Sequence, residues 1–124
     1  MKIFSRILLL LFLGLVLNAQ LLSPITAVDI SGDGAVHNIA PNGGTARWIQ
    51  FIALATNSTA TCSVSSLAGC PRVGDASIST TRGAALMPGN GFYIPESNSS
   101  GRQDLSKWYY LIQSGDKMAI LYEQ

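Results

Sequence analysis

The sequence predicts an all-β fold: a single antiparallel β-sandwich, jelly-roll-like, with about eight short strands and a preceding N-terminal hydrophobic helix. After residue 19, turn signals containing glycine separate short apolar runs that are rich in β-branched and aromatic residues. No segment of this region keeps an apolar stripe at helical spacing for three turns. A chain of 124 residues suits one domain with one core.

Turn chemistry sets the ends of the predicted strands. Glycine and asparagine accept a positive φ and proline presets φ, so residues 32–34, 41–44, 88–91 and 114–116 are predicted turns. The apolar runs between the turns are the predicted strands: residues 27–31, 35–40, 46–55, 76–80, 84–87, 92–94, 108–112 and 118–122.

Two segments carry most of the apolar strand surface. Residues 46–55 are apolar on both alternating faces, which predicts a central strand covered on both sides. Residues 108–112 and 118–122 are also apolar on both faces, and the connection between them contains Gly115, which predicts a C-terminal hairpin.

A sandwich of about 100 residues covers only one face of each sheet. The surplus apolar surface therefore predicts contact with a neighbour, most simply a second copy of the chain. The alternative is that the aromatic side chains line a wet surface. The residues predicted to form the interface are Trp48, Phe51, Trp108, Tyr109, Tyr110 and Tyr122.

The N-terminal segment has the pattern of an export signal. Lys2 and Arg6 precede an uncharged, leucine-rich run over residues 7–17, and Ala19 offers a small residue for cleavage. We predict a signal peptide or membrane anchor over residues 1–19, a linker over 20–26 and the β-sandwich domain over 27–124. A buried helix of an assembly is the third interpretation of the apolar run. Export, or display on a surface, predicts an extracytoplasmic location.

The composition limits the classes of partner. Charged residues make up 12% of the chain, about half the usual share, and hydrophobic residues 48%, which argues against a disordered chain. The formal net charge is +1 and no basic patch is present, so nucleic acid is not a predicted partner. A membrane is a predicted partner only if residues 1–19 are retained. Weak charge favours self-association.

No residue pattern predicts catalysis, a metal site or a cofactor. His37 is the only histidine, it lies in an alternating run that predicts solvent exposure, and no Gly-x-Ser-x-Gly segment is present. Asp29, Ser31 and Asp33 match the opening of a calcium loop, but Ala40 occupies the position of the closing carboxylate. We therefore predict a tight turn there and a protein that is not an enzyme.

Cys62 and Cys70 are the only cysteines, and they flank a loop rich in serine, alanine and glycine. In an exported chain this pair predicts a disulfide that closes the loop. Two thiols without a nearby histidine do not complete a zinc site. Asn57 and Asn98 match the glycosylation acceptor pattern in predicted loops, which matters only in a eukaryotic source.

One series of short segments resembles a known class of proteins. It comprises residues 48–50 (WIQ), 72–75 (RVGD), 81–83 (TRG), 86–89 (LMPG), 104–107 (DLSK) and 115–117 (GDK). In order and spacing, this series over residues 45–122 resembles small β-sandwich proteins of tailed bacteriophage virions, of the decoration or head- and tail-accessory type. The resemblance implies an oligomeric, non-enzymatic particle component and assigns no binding residue. The signal-like segment and the cysteine pair depart from that class, which implies either export of the domain or an anchor in a membrane-containing assembly.

Together these features predict a non-catalytic structural protein, an oligomeric component of a phage particle or of an extracellular surface assembly. The alternative function is a secreted binding module that recognises carbohydrate or another ligand through exposed aromatic side chains. The two functions differ in whether the aromatic side chains are buried between chains or stay exposed and coplanar.

Overall fold

The computed structural model describes residues 25–58, 60–96 and 101–124. The predicted signal peptide or anchor over residues 1–19 lies outside the described residues, and so does most of the predicted linker. The first strand begins at Ile25, so the last two residues of the predicted linker, Ile25 and Thr26, belong to the β-structure.

The described residues form ten β-strands and one 3-10 turn, with no α-helix among them, so the all-β prediction is confirmed. The strands are β1 (Ile25–Ser31), β2 (Val36–Asn38), β3 (Thr45–Ala46), β4 (Ile49–Ala53), β5 (Arg72–Gly74), β6 (Ala84–Ala85), β7 (Gly91–Ile94), β8 (Gln103–Asp104), β9 (Tyr109–Leu111) and β10 (Lys117–Glu123). The 3-10 turn spans Leu105–Lys107.

The strands form three antiparallel sheets. The first sheet has the order β1-β10-β4-β7 and the second has the order β2-β9-β5-β6, while β3 and β8 form a two-stranded ribbon. The pairs β1 with β10, β2 with β9, β3 with β8, β4 with β7 and β5 with β6 are nested. The chain therefore folds back on itself as one long hairpin. Apart from the β3–β8 ribbon, successive pairs along this hairpin belong alternately to the first and the second sheet.

The core lies between the two larger sheets. Ile49 and Phe51 of β4 and Met118 of β10 are each 0% exposed and point inward from the first sheet. Val73 of β5, 1% exposed, joins the same cluster from the second sheet. Burial of these side chains supplies the main favourable free energy that holds the sheets together.

β4 is a central strand, as predicted, because β10 and β7 pair with its two edges. The two faces of β4 differ in burial. Ile49, Phe51 and Ala53 are fully buried, whereas Gln50 and Ile52 on the opposite face are only half-buried. The described chain therefore covers one face of this strand completely and the other face only in part.

The predicted C-terminal hairpin is wrong. β9 and β10 follow one another in the sequence, but β9 pairs with β2 and β5 and β10 pairs with β1 and β4. The turn between them crosses from one sheet to the other, closed by the Asp116 N–H donating to the Gln113 carbonyl oxygen at 3.1 Å. Two apolar runs around a glycine give the same local pattern in both arrangements, and long-range pairing decides between them.

Residues 76–80 form turns and bends instead of the predicted strand. The Asp75 carboxylate accepts hydrogen bonds from the backbone N–H and the hydroxyl of Ser77, and Ser79 and Arg82 exchange two backbone hydrogen bonds. These local bonds satisfy backbone N–H and carbonyl groups that, in a strand, would bond to a neighbouring strand. The strand of this region is β5, just before the turn, which the sequence did not predict.

Candidate functional site

The six residues predicted to form the interface occupy three environments. Phe51 is 0% exposed, so its side chain packs inside the chain's own core and offers no surface to a partner. Trp108, Tyr110 and Tyr122 are half-buried and pack against the core cluster. The Trp108 ring lies 6.5 Å from the Phe51 ring, measured between centroids.

Trp48 and Tyr109 lie on outer faces of the sheets. Trp48 precedes β4 and alternates with the buried Ile49, so it points to the outer face of the first sheet, where its Nε1–H donates to Glu123 Oε2 at 2.7 Å. Tyr109 is half-buried and points away from the core, because Tyr110 beside it faces the core.

The outer faces of the two larger sheets are covered differently. On the second sheet, Arg72 is 6% exposed, and its guanidinium donates to the carbonyl oxygens of Leu67 and Gly83, both at 3.0 Å. Leu67 belongs to the β4–β5 connection, which therefore covers part of this face. Leu111, which pairs with Arg72 in register, is 5% exposed on the same face.

The outer face of the first sheet stays accessible. The strand register places on it a set of small and apolar side chains: Ile25 and Ala27 of β1, Ala119 and Leu121 of β10, Ile52 of β4 and Tyr93 of β7. We call these six residues, together with Trp48, the outer apolar face. Ile25 is 62% and Tyr93 is 55% exposed, and the Trp48 and Tyr93 ring centroids are 6.1 Å apart.

Sequence reasoning missed Tyr93 and Ile25 as surface residues. The signal for Tyr93 was present, because Phe92 and Ile94 on either side are apolar and a strand places alternate residues on opposite faces. Ile25 lay in the predicted linker, and only its pairing with Glu123 places it in β1.

His37 is accessible at the edge strand β2, as its alternating run predicts. The side chain is 44% exposed, its Nε2 lies 3.0 Å from both carboxylate oxygens of Asp33, and its ring stacks on Tyr110 with centroids 5.5 Å apart. The hydrogen bonds from the Ala35 N–H and from His37 lower the pKa of Asp33. Burial raises the pKa of Tyr110.

The residues of the calcium-like pattern do not converge. Asp29 points outward from β1, whereas the Asp33 carboxylate is already bound to the Ala35 N–H at 2.9 Å and to His37. Over residues 25–58, 60–96 and 101–124, no three His, Cys, Asp or Glu side chains lie close enough together to bind a metal ion. Gly34, with a φ of +83°, lies in a bend between β1 and β2, which belong to different sheets.

The predicted disulfide is present. Cys62 and Cys70 are bonded, with an S–S distance of 2.06 Å, and both residues are buried. The bridge closes a loop in the middle of the β4–β5 connection. None of the ten strands lies in the described part of this connection. A buried disulfide fits a protein of an oxidising compartment.

Asn57 is not an accessible glycosylation site in the folded chain. It is 5% exposed, and its side-chain amide donates to the Lys117 carbonyl oxygen and accepts from the Lys117 N–H, both at 2.8 Å. These two bonds tie the β4–β5 connection to the start of β10. The second acceptor, Asn98, lies outside the described residues.

A cavity of about 240 Å³ opens between β1 and β2, at one side of the sandwich. Its walls are mostly aliphatic, with Ile30, Ile39 and Ile120 contributing alongside the rings of Tyr110 and Tyr122. Because Tyr110 and Tyr122 also pack on the core, this cavity is an extension of the space between the sheets. A larger cavity lies at the loop end near Asp116.

No helix in the described part of the chain is long and apolar enough to cross a membrane. No protein-family model matches the chain, and no match is found among the curated proteins or the solved structures. The function therefore has to be argued from the chain's own surfaces.

Proposed function

We propose that the protein is a non-catalytic structural component of an oligomeric assembly, either a phage particle or an extracellular surface layer, and that copies associate through the outer apolar face. The observation that carries this proposal is the unequal cover of the two sheets. The β4–β5 connection shields the outer face of the second sheet at Arg72, whereas Ile25 and Tyr93 stay exposed on the first.

The chemistry of the outer apolar face favours a second copy of the chain as the occupant. Ile25, Ile52 and Leu121 supply aliphatic surface, and Trp48 and Tyr93 supply the large amphipathic rings that are enriched in protein interfaces. The face includes part of the edge strand β1, whose seven residues carry a single charge, Asp29, on the same side as Ile25 and Ala27. Because the net charge of the chain is small, electrostatic repulsion between copies is weak and does not oppose self-association.

The order of strand pairing supports a jelly-roll assignment for the sandwich. With the short pair β3 and β8 set aside, a nested hairpin wraps into two four-stranded antiparallel sheets, which is the arrangement of a double Greek-key sandwich. The buried disulfide supports an extracytoplasmic location. Partners on this proposal are other copies of the chain or neighbouring particle proteins.

A secreted binding module with an aromatic platform is the second candidate, because Tyr93 is exposed beside Trp48. The two ring planes are tilted by 39°, however, and the Trp48 Nε1–H is occupied by Glu123. A flat ligand stacks best on coplanar rings, so this geometry favours the structural proposal.

Light scattering of the purified protein over a wide concentration range tests the proposal. We expect an oligomer of fixed stoichiometry that Tyr93→Lys or Ile25→Lys dissociates, because each places a charge on the outer apolar face at an exposed position. Val64→Lys is the matched control, since Val64 is 82% exposed on the disulfide loop. A wild-type monomer at all concentrations, or equal dissociation by all three variants, would refute it.

A further inference from the structure

A second cavity lies at one end of the sandwich, where three connections meet. It has a volume of about 630 Å³. The β4–β5 connection, the β5–β6 connection and the β9–β10 turn form its walls. The polar residues that line it are Ser58, Thr61, Thr80, Gln113, Ser114 and Asp116.

The walls of this loop-end cavity are held in place by covalent and hydrogen bonds. The disulfide joins the two arms of the loop that carry Thr61 and Gly69, and a Cβ on Gly69 would lie 2.0 Å from the Thr61 carbonyl oxygen, so the arms are in direct contact. The Ser58 N–H donates to Asp116 Oδ1 at 3.0 Å, which ties the connection to the β9–β10 turn. A wall fixed in this way loses little entropy on binding a ligand.

Asp116 carries an unsatisfied acceptor in the wall of the cavity. The residue is 5% exposed, and its Oδ2 atom has no hydrogen-bond donor. A buried polar atom without a partner lowers the stability of the folded chain, so such an atom in a native protein calls for an explanation. A ligand that donates a hydrogen bond at this position supplies one.

The lining residues define the class of ligand. Among the described residues that line the cavity there is no lysine or arginine, which disfavours an anion. There is also no aromatic or large aliphatic residue among them, which disfavours an apolar ligand. A calcium ion takes six or more oxygen ligands, and a single carboxylate in the cavity wall therefore disfavours calcium as the ligand. Hydroxyl, amide and carboxylate groups together both donate and accept hydrogen bonds, as the hydroxyl groups of a sugar do.

We propose that this loop-end cavity binds a neutral saccharide of one or two rings, with Asp116 accepting a hydrogen bond from a sugar hydroxyl. The volume lies in the range of cavities that hold small ligands, roughly 300–1,000 Å³. Because Oδ2 is covered by neighbouring atoms, the proposal requires the exposed Ser114–Gly115 turn to move when the ligand binds, while the disulfide loop stays in place. This site is separate from the outer apolar face, and the proposal does not depend on the proposed function.

Saturation-transfer NMR on the full chain tests the proposal, with glucose, galactose, N-acetylglucosamine, maltose and lactose as separate probes. We expect saturation to pass from the protein protons to the protons of at least one of these sugars, which shows binding. Ala68→Trp, at an exposed position of the cavity wall, fills the space and should abolish the transfer. Asp116→Asn exchanges the acceptor for a donor and should weaken binding about tenfold or more, a typical effect of one mismatched hydrogen bond.

Val64→Trp is the control for added bulk, because Val64 lies on the same loop but does not line the cavity, and it should leave transfer unchanged. The absence of transfer to all five sugars in the wild type would overturn the proposal. Transfer that survives Ala68→Trp but is lost in Tyr93→Lys would also overturn it and would locate binding at the aromatic pair. Light scattering of the same samples measures the oligomeric state of each variant, so that a change in sugar binding can be distinguished from a change in oligomer formation.

Discussion

Short polar side chains hold the turns of this protein by bonding to the backbone a few residues ahead. Asp33 accepts from the Ala35 N–H, Asp75 from the Ser77 N–H, and Asp104 from the Ser106 N–H, at 2.8–3.0 Å. These bonds replace the strand pairing that such segments lack. They also favour the charged form of each carboxyl group.

The pKa values of these three aspartates lie below the ordinary value of 3.8. The Ala35 N–H bond and then the His37 bond lower that of Asp33; the hydroxyl and N–H of Ser77 lower that of Asp75. The Ser106 hydroxyl and N–H lower that of Asp104. A carboxyl whose pKa falls on folding stabilises the protein above its unfolded pKa, and this contribution is lost as the pH falls toward the folded pKa.

We therefore expect the free energy of unfolding to decrease as the pH falls below about 4, the unfolded pKa of aspartate. Urea denaturation across this range measures the decrease, and NMR titration of the carboxyl carbons assigns it. Asp104→Asn should reduce the slope of stability against pH. A titration of all three carboxyl groups at or above their ordinary pKa would contradict this explanation.

Gly32 is required for close backbone approach between the β1–β2 and β9–β10 turns. A Cβ at this position would lie 2.1 Å from the Gln113 carbonyl oxygen and 2.6 Å from that of Ile112. Gly32→Ala should destabilise the protein by about 2 kcal/mol or more, because backbone atoms have to move. At Gly34 a Cβ meets open space, so Gly34→Ala should cost only the roughly 1–2 kcal/mol of a left-handed residue. Urea denaturation of both variants checks this order, and a reversed order would contradict it.

At the scale of elements, the β4–β5 connection depends on its disulfide. It has no long strand of its own, yet it covers part of the outer face of the second sheet and forms a wall of the loop-end cavity. Replacing both cysteines by alanine should lower the free energy of unfolding by about 2–3 kcal/mol, as expected for closing a short loop.

Alkylation followed by mass measurement gives the direct check on the bridge. We expect no labelled thiol in the native protein and two labelled thiols after reduction and unfolding. A labelled thiol in the native material would show that the bridge is incomplete. If the double alanine variant unfolds at the same urea concentration as the wild type, the connection does not depend on the bridge.

The two faces of the first sheet differ in burial, and on our proposal the inner face serves stability while the outer face serves association. Phe51 on the inner face and Tyr93 on the outer face lie on adjacent strands, and Phe51 pairs with Phe92 in register. Phe51→Ala should cost about 3–5 kcal/mol, since it opens a cavity among fully buried side chains. Tyr93→Ala should change the unfolding free energy by less than about 1 kcal/mol at a protein concentration where the chain is monomeric. Comparable losses in the two variants would contradict this division.

At the scale of the whole molecule, the nested pairing makes the fold strongly non-local. The outermost pair joins Ile25 to Glu123. Within the described residues, the pairing of β1 with β10 has the most residues in register and joins strands from the two ends of the domain. Loop closure over such separations slows folding, so we expect refolding in milliseconds to seconds rather than microseconds. Stopped-flow fluorescence of Trp48 and Trp108 measures this rate, and a microsecond phase with full amplitude would contradict it.

The sequence predicted the all-β class because period-two alternation and turn residues are local signals. Seven of the eight predicted runs overlap a strand, and the disulfide was predicted from the two cysteines together with the expected export of the chain. The run at 76–80 failed because Asp75 and Ser77 form a turn that competes with strand pairing. β3 and β8 have two residues each, which is too short for periodicity to detect, whereas β6 lies within the predicted run 84–87.

The sequence by itself predicted more apolar strand surface than one small sandwich can cover. Only the tertiary structure decided where that surface lies. Phe51 is in the core, while Ile25 and Tyr93 are exposed on one sheet. It also decided that β9 and β10 separate into different sheets. The physical reason is that alternation fixes the face of a residue within its own strand, whereas the cover of that face depends on contacts between segments far apart in the chain.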